Sequence, residues 1–169
     1  ALRDLHPAFM RFPGGCIVEG MRESNEYNWK NTVGALWERK SDYNLWSEKT
    51  PDGGYTQSYQ VGFYEYFCLC EDLGMKPLPT LSAGLNCQIR KAQYKFKEKP
   101  QAINSDYFQN EILANYLDLI EFANGDPKSS KWAKLRADMG HPAPFHLEMI
   151  GIGNENFGRV YRKRFTAIN

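Results

Sequence analysis

The chain has 169 residues, of which 42% are hydrophobic, 24% charged and 14% aromatic, the composition of a globular protein that fits one ordinary domain. A formal net charge of +1 gives no basis for binding nucleic acid or an anionic membrane, and no apolar run reaches the roughly 20 residues that span a bilayer. The first thirteen residues lack the charged-then-apolar layout of an export signal.

In chain order, Phe9-Met10-Arg11-Phe12 reads as a short strand, stopped by Pro13-Gly14-Gly15. A long aromatic loop follows over 16–56, with Trp29, Trp37 and Trp46. Helical spacing of Tyr59, Phe63, Tyr66, Phe67, Cys70 and Leu73 predicts a helix over 57–73, with Gly74 where a C-terminal glycine cap belongs. Residues 76–83 read as a second strand closed by Gly84, although Pro79 removes a backbone N–H from it. Residues 85–104 read as a lysine-bearing surface loop. Phe108, Ile112, Tyr116, Leu119, Ile120 and Ala123 form the stripe of the clearest helix. Ser105 or Asp106 can cap its start, Gly125 its end, and Pro127 blocks continuation. Residues 126–145, with Trp132, read as a third loop, 146–152 as a third strand and 157–168 as one more helix.

Strands alternating with helices imply an α/β fold with parallel pairing through right-handed crossovers. A closed parallel barrel needs eight strands and about 250 residues. The pattern is therefore three consecutive units of something larger, or a small open sheet. In parallel α/β folds, function gathers at the C-terminal ends of strands. Here those ends are Pro13-Gly14-Gly15-Cys16, Ser82-Ala83-Gly84 and Gly153-Asn154-Glu155.

Glu155 has the chemistry of a general acid, and desolvation by the aromatic loops is expected to raise its pKa. Asn154 can hold a hydroxyl through its two-sided amide. An inward Arg11 would be a buried cation in need of a carboxylate, and the other two strand ends carry none except Glu155. Taken singly, each has a plainer reading. A Glu after a strand is most often a surface or capping residue, a Gly-Gly pair is a turn, and tryptophans are usually core. On loops above the strand ends they can instead be stacking platforms for a sugar. The cysteines Cys16, Cys68, Cys70 and Cys87 match no zinc-ligand spacing, and His6, His141 and His146 are scattered. The thiols read as small buried hydrophobes, with no metal site expected.

The conjunction of these features resembles a known family. The segment Phe9-Met10-Arg11-Phe12-Pro13-Gly14-Gly15-Cys16-Ile17-Val18-Glu19-Gly20 closely resembles a strand signature of the α-L-arabinofuranosidases of glycoside hydrolase family 51. Tyr27-Asn28-Trp29-Lys30-Asn31-Thr32-Val33-Gly34 and Ile152-Gly153-Asn154-Glu155-Asn156 continue in the family's order. Ser82, where asparagine is expected, and Lys40, where proline is common, depart from it. The resemblance implies part of a (β/α)8 TIM barrel, about strands two to four with their helices. Residues 1–169 would be the N-terminal portion of that catalytic barrel, without its remaining strands or the family's C-terminal β-sandwich.

The same resemblance implies Glu155 as acid/base, Arg11 as support for the nucleophile, and Asn154, Cys16 and Trp29 as substrate-binding residues. The nucleophile would come from a strand outside the chain. The implied reaction is retaining hydrolysis of terminal α-L-arabinofuranosyl residues from arabinose-containing oligo- or polysaccharides, with no cofactor, in an extracellular or periplasmic setting. Partners would be the remainder of the same polypeptide or a second copy covering the raw sheet edges. Rival expectations are another glycosidase of the same clan, such as an endo-glucanase or xylosidase, and a non-catalytic sugar-binding half-barrel.

Overall fold

The computed structural model describes residues 2–20, 26–44, 55–88 and 100–169, save for the side chain of Tyr43. Trp46 and most of the lysine-bearing loop lie outside the described residues. In chain order the elements are β1 (Phe9–Phe12), β2 (Asp42–Tyr43), β3 (Thr56–Gln57), α1 (Phe63–Leu73) and β4 (Lys76–Leu81). Then come a π-helical stretch (Phe108–Leu113) running into α2 (Ala114–Asn124), α3 (Lys131–Asp138), β5 (Gly151–Ile152) and α4 (Gly158–Ile168). β1, β4 and β5 form a parallel sheet in that spatial order, with β1 and β5 at its edges. The sequential order and the intervening helices are those of consecutive strand–helix units. β2 and β3 make a separate antiparallel ribbon inside the long first loop, where the sequence reading expected no strand.

The prolines of β4 decide how the sheet is paired. Successive strand residues aim their backbone groups at opposite edges. The Lys76 N–H donates to the Ala8 carbonyl on the β1 side at 3.0 Å, and the Leu81 carbonyl accepts from the Gly153 N–H on the β5 side at 2.7 Å. Pro77 and Pro79 therefore lack their N–H only toward β5. Pairing with β5 begins past them, at Thr80 with Gly151 and Leu81 with Ile152. The strand expected over 146–152 accordingly shortens to two residues. Before it, the Asn124 side chain replaces a neighbouring strand. Its amide donates to the Leu147 carbonyl at 2.9 Å, and its oxygen accepts the Leu147 N–H at 2.8 Å.

Helix α1 starts six residues later than the spacing predicts. Tyr59, counted on the helical stripe, has a φ of 56° and lies before the helix. The start is fixed at Gly62, where an added Cβ would collide with the Thr32 carbonyl. The Glu65 carboxylate accepts the Gly62 N–H at 2.8 Å, and the Thr32 hydroxyl accepts the Phe63 N–H at 3.0 Å. These two contacts do the work of an N-cap side chain that glycine lacks. Helix α3 falls where a loop was expected. Ser130 caps it by accepting the Ala133 N–H, but its sequence is too polar to show an apolar stripe.

The core is an aromatic cluster between the sheet and the helices. Phe12 meets Phe63, Tyr66 and Phe67 at ring separations of 5.0–5.4 Å, and Phe67 stacks on Phe145 at 4.9 Å. On α2 the stripe includes Phe122, fully buried, while Ile120 is exposed. Arg136 of α3 is also fully buried. Its guanidinium donates to the carbonyls of Phe122, Gly125, His141 and Pro142 at 2.7–3.0 Å. It thus satisfies the end of α2 and the turn that follows α3 from inside. Arg136→Ala would leave these carbonyls buried and unpaired. It is expected to cost on the order of 3 kcal/mol or more in urea unfolding. Arg136→Lys would recover little, because an ammonium cannot span the four acceptors. A loss within about 0.5 kcal/mol, the usual range for a surface substitution, would contradict this role.

Candidate functional site

The C-terminal ends of β1, β4 and β5 lie side by side, so the segments that follow them share one region. After β1, the chain turns at Gly14, with φ 138°, into a 3-10 turn at Cys16–Val18. This turn buries Cys16 and Glu19. After β5, Gly153 takes φ 71°, and a Cβ there would strike the Asn156 side chain. Glu155 is then held at φ 48°, a left-handed conformation that costs a non-glycine residue about 1–3 kcal/mol. Two residues further on, the Gln88 side chain clamps the Phe157 backbone, accepting its N–H at 2.7 Å and donating to its carbonyl at 3.2 Å. The Tyr161 hydroxyl donates to the Ile152 carbonyl at 2.7 Å, pinning α4 to the end of β5.

Four of the five residues singled out from sequence meet here. The Arg11 guanidinium donates to the Asn154 side-chain oxygen at 2.6 Å. The Cys16 thiol donates to the Glu155 carboxylate at 3.2 Å. The Asn154 amide nitrogen lies 4.0 Å from the Cys16 sulfur. Burial pushes the Cys16 thiol up to about 12, reinforced by hydrogen bonds with Cys87 and Glu155, so at neutral pH it is a neutral donor.

Three expectations need correction. Trp29 is not at this site. Its ring is fully buried against Phe63, Phe122 and Trp132, and its indole N–H donates to the Asn115 carbonyl at 3.0 Å. A helix-facing hydrophobic environment claims the ring before any sugar could. Arg11 is exposed and bonded to an amide, so the buried cation with a carboxylate partner is not what forms. Glu155 is exposed too, and two of the aromatic side chains expected to desolvate it stand elsewhere, Trp29 in the core and Trp37 at 87% exposure to solvent. A cavity of about 720 Å³ runs along α4 past Arg159, Tyr161, Arg162 and Phe165, beside the site and not over Glu155.

Sequence reasoning missed Glu19. It is fully buried, and its Oε1 accepts the Asn154 backbone N–H at 2.6 Å. Burial pushes this carboxyl up to about 8 against the lowering effect of the Asn154 bond, and the nearby Glu155 charge adds to the rise. Its Oε2 has no hydrogen-bond partner among the described residues. The only signal was a carboxylate seven residues after a short strand, and that is too common to single out. Cys87 was also missed as part of the site. It follows β4, is fully buried, and its thiol adjoins that of Cys16.

Comparison with known proteins gives a consistent picture. The family model for the α-L-arabinofuranosidase 1 domain matches residues 1–169. The extracellular exo-α-L-arabinofuranosidase of Streptomyces chartreusis is 42% identical over 163 residues, covering 89% of this chain and 18% of that protein. α-L-Arabinofuranosidase 2 of Arabidopsis thaliana is 38% identical over 164 residues, covering 96% of this chain and 21% of that protein. The arabinose-bound MgGH51 α-L-arabinofuranosidase superposes with a TM-score of 0.77 at 33% identity, over 99% of this chain and 25% of that one. The chain thus spans about a fifth of these curated relatives and a quarter of this solved one. The α/β piece with its parallel sheet is consistent with part of a TIM barrel.

The raised Glu19 acid has a consequence for stability. In the folded state it holds its proton up to about pH 8, whereas an unfolded glutamate loses it near 4.5. Between those values the folded state binds more protons, so unfolding free energy falls as pH rises through that window. Glu19→Gln keeps the acceptor for Asn154 and removes the titration. Denaturant unfolding at a series of pH values is expected to show a flatter profile for the variant, and relatively greater stability near pH 8. Parallel profiles for the two proteins would contradict a raised Glu19.

Proposed function

Because the chain belongs to the α-L-arabinofuranosidases of glycoside hydrolase family 51, we propose that residues 1–169 form about strands two to four of a (β/α)8 catalytic barrel. The intact enzyme is retaining and exo-acting, and removes terminal non-reducing α-L-arabinofuranosyl residues from arabinose-containing oligo- and polysaccharides. The observation that carries this reading is the meeting of Arg11, Cys16, Asn154 and Glu155 at the strand ends, joined by the Arg11–Asn154 and Cys16–Glu155 hydrogen bonds.

In this reading Glu155 is the acid/base. It first protonates the departing glycosidic oxygen, and the nucleophile, a carboxylate from a later strand of the same polypeptide, takes the anomeric carbon. Glu155 then removes a proton from the water that releases arabinose, regenerating both carboxyl groups. Retention requires the two carboxyl groups to sit about 5–5.5 Å apart. Asn154, oriented by Arg11 and by the Glu19 bond to its backbone, offers its amide N–H groups to a sugar hydroxyl. The Cys16 thiol lines the floor of the same subsite and orients the Glu155 carboxylate. Arg11 contributes positive charge beside the approaching nucleophile. Two carboxylates supply both the proton transfers and the covalent step, so the mechanism calls for no cofactor. The exposure of Glu155 fits a site whose remaining walls come from the rest of the barrel. The edges of β1 and β5, which have no partner strand among the described residues, and exposed Phe9, Phe157, Val160 and Phe165 are surfaces such walls would cover. Action outside the cell is the setting that the Streptomyces relative suggests.

Two outcomes follow. A protein of these 169 residues alone is expected to release no arabinose from a chromogenic arabinofuranoside. Turnover that Glu155→Gln abolishes would refute the need for a second carboxylate. In the full-length enzyme, Glu155→Ala is expected to slow natural substrates by about 10²–10⁴-fold, and activated aryl arabinofuranosides far less, because good leaving groups need little acid help. Equal losses on both would remove Glu155 from the acid role.

A further inference from the structure

The segments after β1, β4 and β5 each bring one potential metal ligand to the same point. These are the Cys16 sulfur, the Cys87 sulfur and a Glu155 carboxylate oxygen, and all three lie within 4.8 Å of one another. We propose that this constellation is an inhibitory site for a thiophilic divalent cation of the zinc and cadmium class, held by two thiolates and the Glu155 carboxylate.

The geometry supports it on three counts. Tetrahedral zinc with Zn–S of about 2.3 Å and Zn–O of about 2.0 Å sets ligand atoms roughly 3.5–3.8 Å apart. The observed ceiling of 4.8 Å exceeds that by roughly 1.0–1.3 Å, a gap that small side-chain rotations close, and the Cys16–Glu155 pair is already at 3.2 Å. The donors are also backed by structure. Cys87 is fully buried with its backbone N–H bonded to the Gly20 carbonyl at 2.9 Å, Cys16 is 8% exposed, and the turn carrying Glu155 is fixed by Glu19 and Gln88. Finally, the exposed Glu155 side leaves a way in and a fourth position for water. Two sulfur donors favour zinc or cadmium over magnesium or calcium, which prefer an all-oxygen shell. Linear spacing hid the set because its members stand 71 and 68 residues apart along the chain, counted from 16 to 87 and from 87 to 155.

Binding balances simply. The cation forms two bonds to sulfur and one to carboxylate oxygen, the two thiols release their protons to solvent, and nothing is oxidised or reduced. A Glu155 carboxylate bound to the cation cannot carry a proton to a leaving group. Blockade of hydrolysis rests on the acid/base reading of Glu155, whereas capture of the metal does not.

The test uses the full-length enzyme titrated with cadmium ion and read by the ultraviolet band of cadmium–thiolate bonds, with zinc inhibition of arabinofuranoside hydrolysis measured in parallel. The expected result is a band equivalent to one site that Cys87→Ser removes, and inhibition that a chelator reverses and Cys87→Ser weakens at least about tenfold. A band that persists in Cys87→Ser would overturn the proposal. A band that Cys87→Ser removes, with hydrolysis unaffected by saturating metal, would leave capture standing and instead sink the acid role of Glu155. Should Cys87→Ser not fold, X-ray absorption of the zinc-loaded wild-type enzyme decides. Two sulfur neighbours are expected, and a shell of nitrogen and oxygen alone would overturn the site.

Discussion

The bond from the Glu19 carboxyl to the Asn154 backbone N–H, 2.6 Å long and wholly inside the protein, is the constraint on which the site depends. It ties the segment after β1 to the turn after β5, across the intervening β4. That turn is strained at Glu155 and carries a glycine at positive φ immediately before Asn154. Without an anchor it would relax, and the acid would lose its direction. The anchor is a buried acid, costly unless protonated or well bonded. The molecule therefore holds a polar turn with a carboxyl whose burial favours the neutral form, beside the exposed Glu155.

A second theme is the use made of aromatic side chains. Phe12, Phe63, Phe67, Phe122, Phe145 and Trp29 fill the space between the sheet and the helices. Phe12 follows Arg11 directly, so the alternation of β1 sends the phenyl ring into this cluster and the guanidinium toward the strand-end site. Packing on one face of the strand thereby sets the aim of a polar group on the other. Arg136 acts similarly from α3, where a single guanidinium closes the carbonyls at the end of α2 and, through those of His141 and Pro142, steadies the segment leading into β5.

How far this was legible in the sequence depends on whether a feature is local. β1, the helix that became α4, and the polar residues closing the strands are written in short patterns, and those parts of the reading stand. Pro79 was correctly seen as awkward in a strand. Only the register shows that Pro77 and Pro79 both turn their missing N–H toward the same edge, which is why β5 is so short. Helix α3 went unseen because capping by Ser130 and packing by one buried arginine replace the apolar stripe. Trp29 was misjudged since a loop's length says nothing about which rings turn inward. Glu19 and Cys87 acquire meaning only through contacts with residues more than a hundred positions away for the former and about seventy for the latter, which no periodicity encodes.

The most direct test of the central claim, that Asn154 and Glu155 receive the scissile sugar at the strand ends, is a crystal structure of the full-length Glu155→Gln enzyme soaked with a natural arabino-oligosaccharide. The account predicts the glycosidic oxygen within about 2.6–3.2 Å of the side chain at position 155. It also predicts a sugar hydroxyl on the Asn154 amide and the Cys16 sulfur beneath the ring. A sugar bound productively against other carboxylates, with position 155 turned away from the glycosidic oxygen, would contradict it.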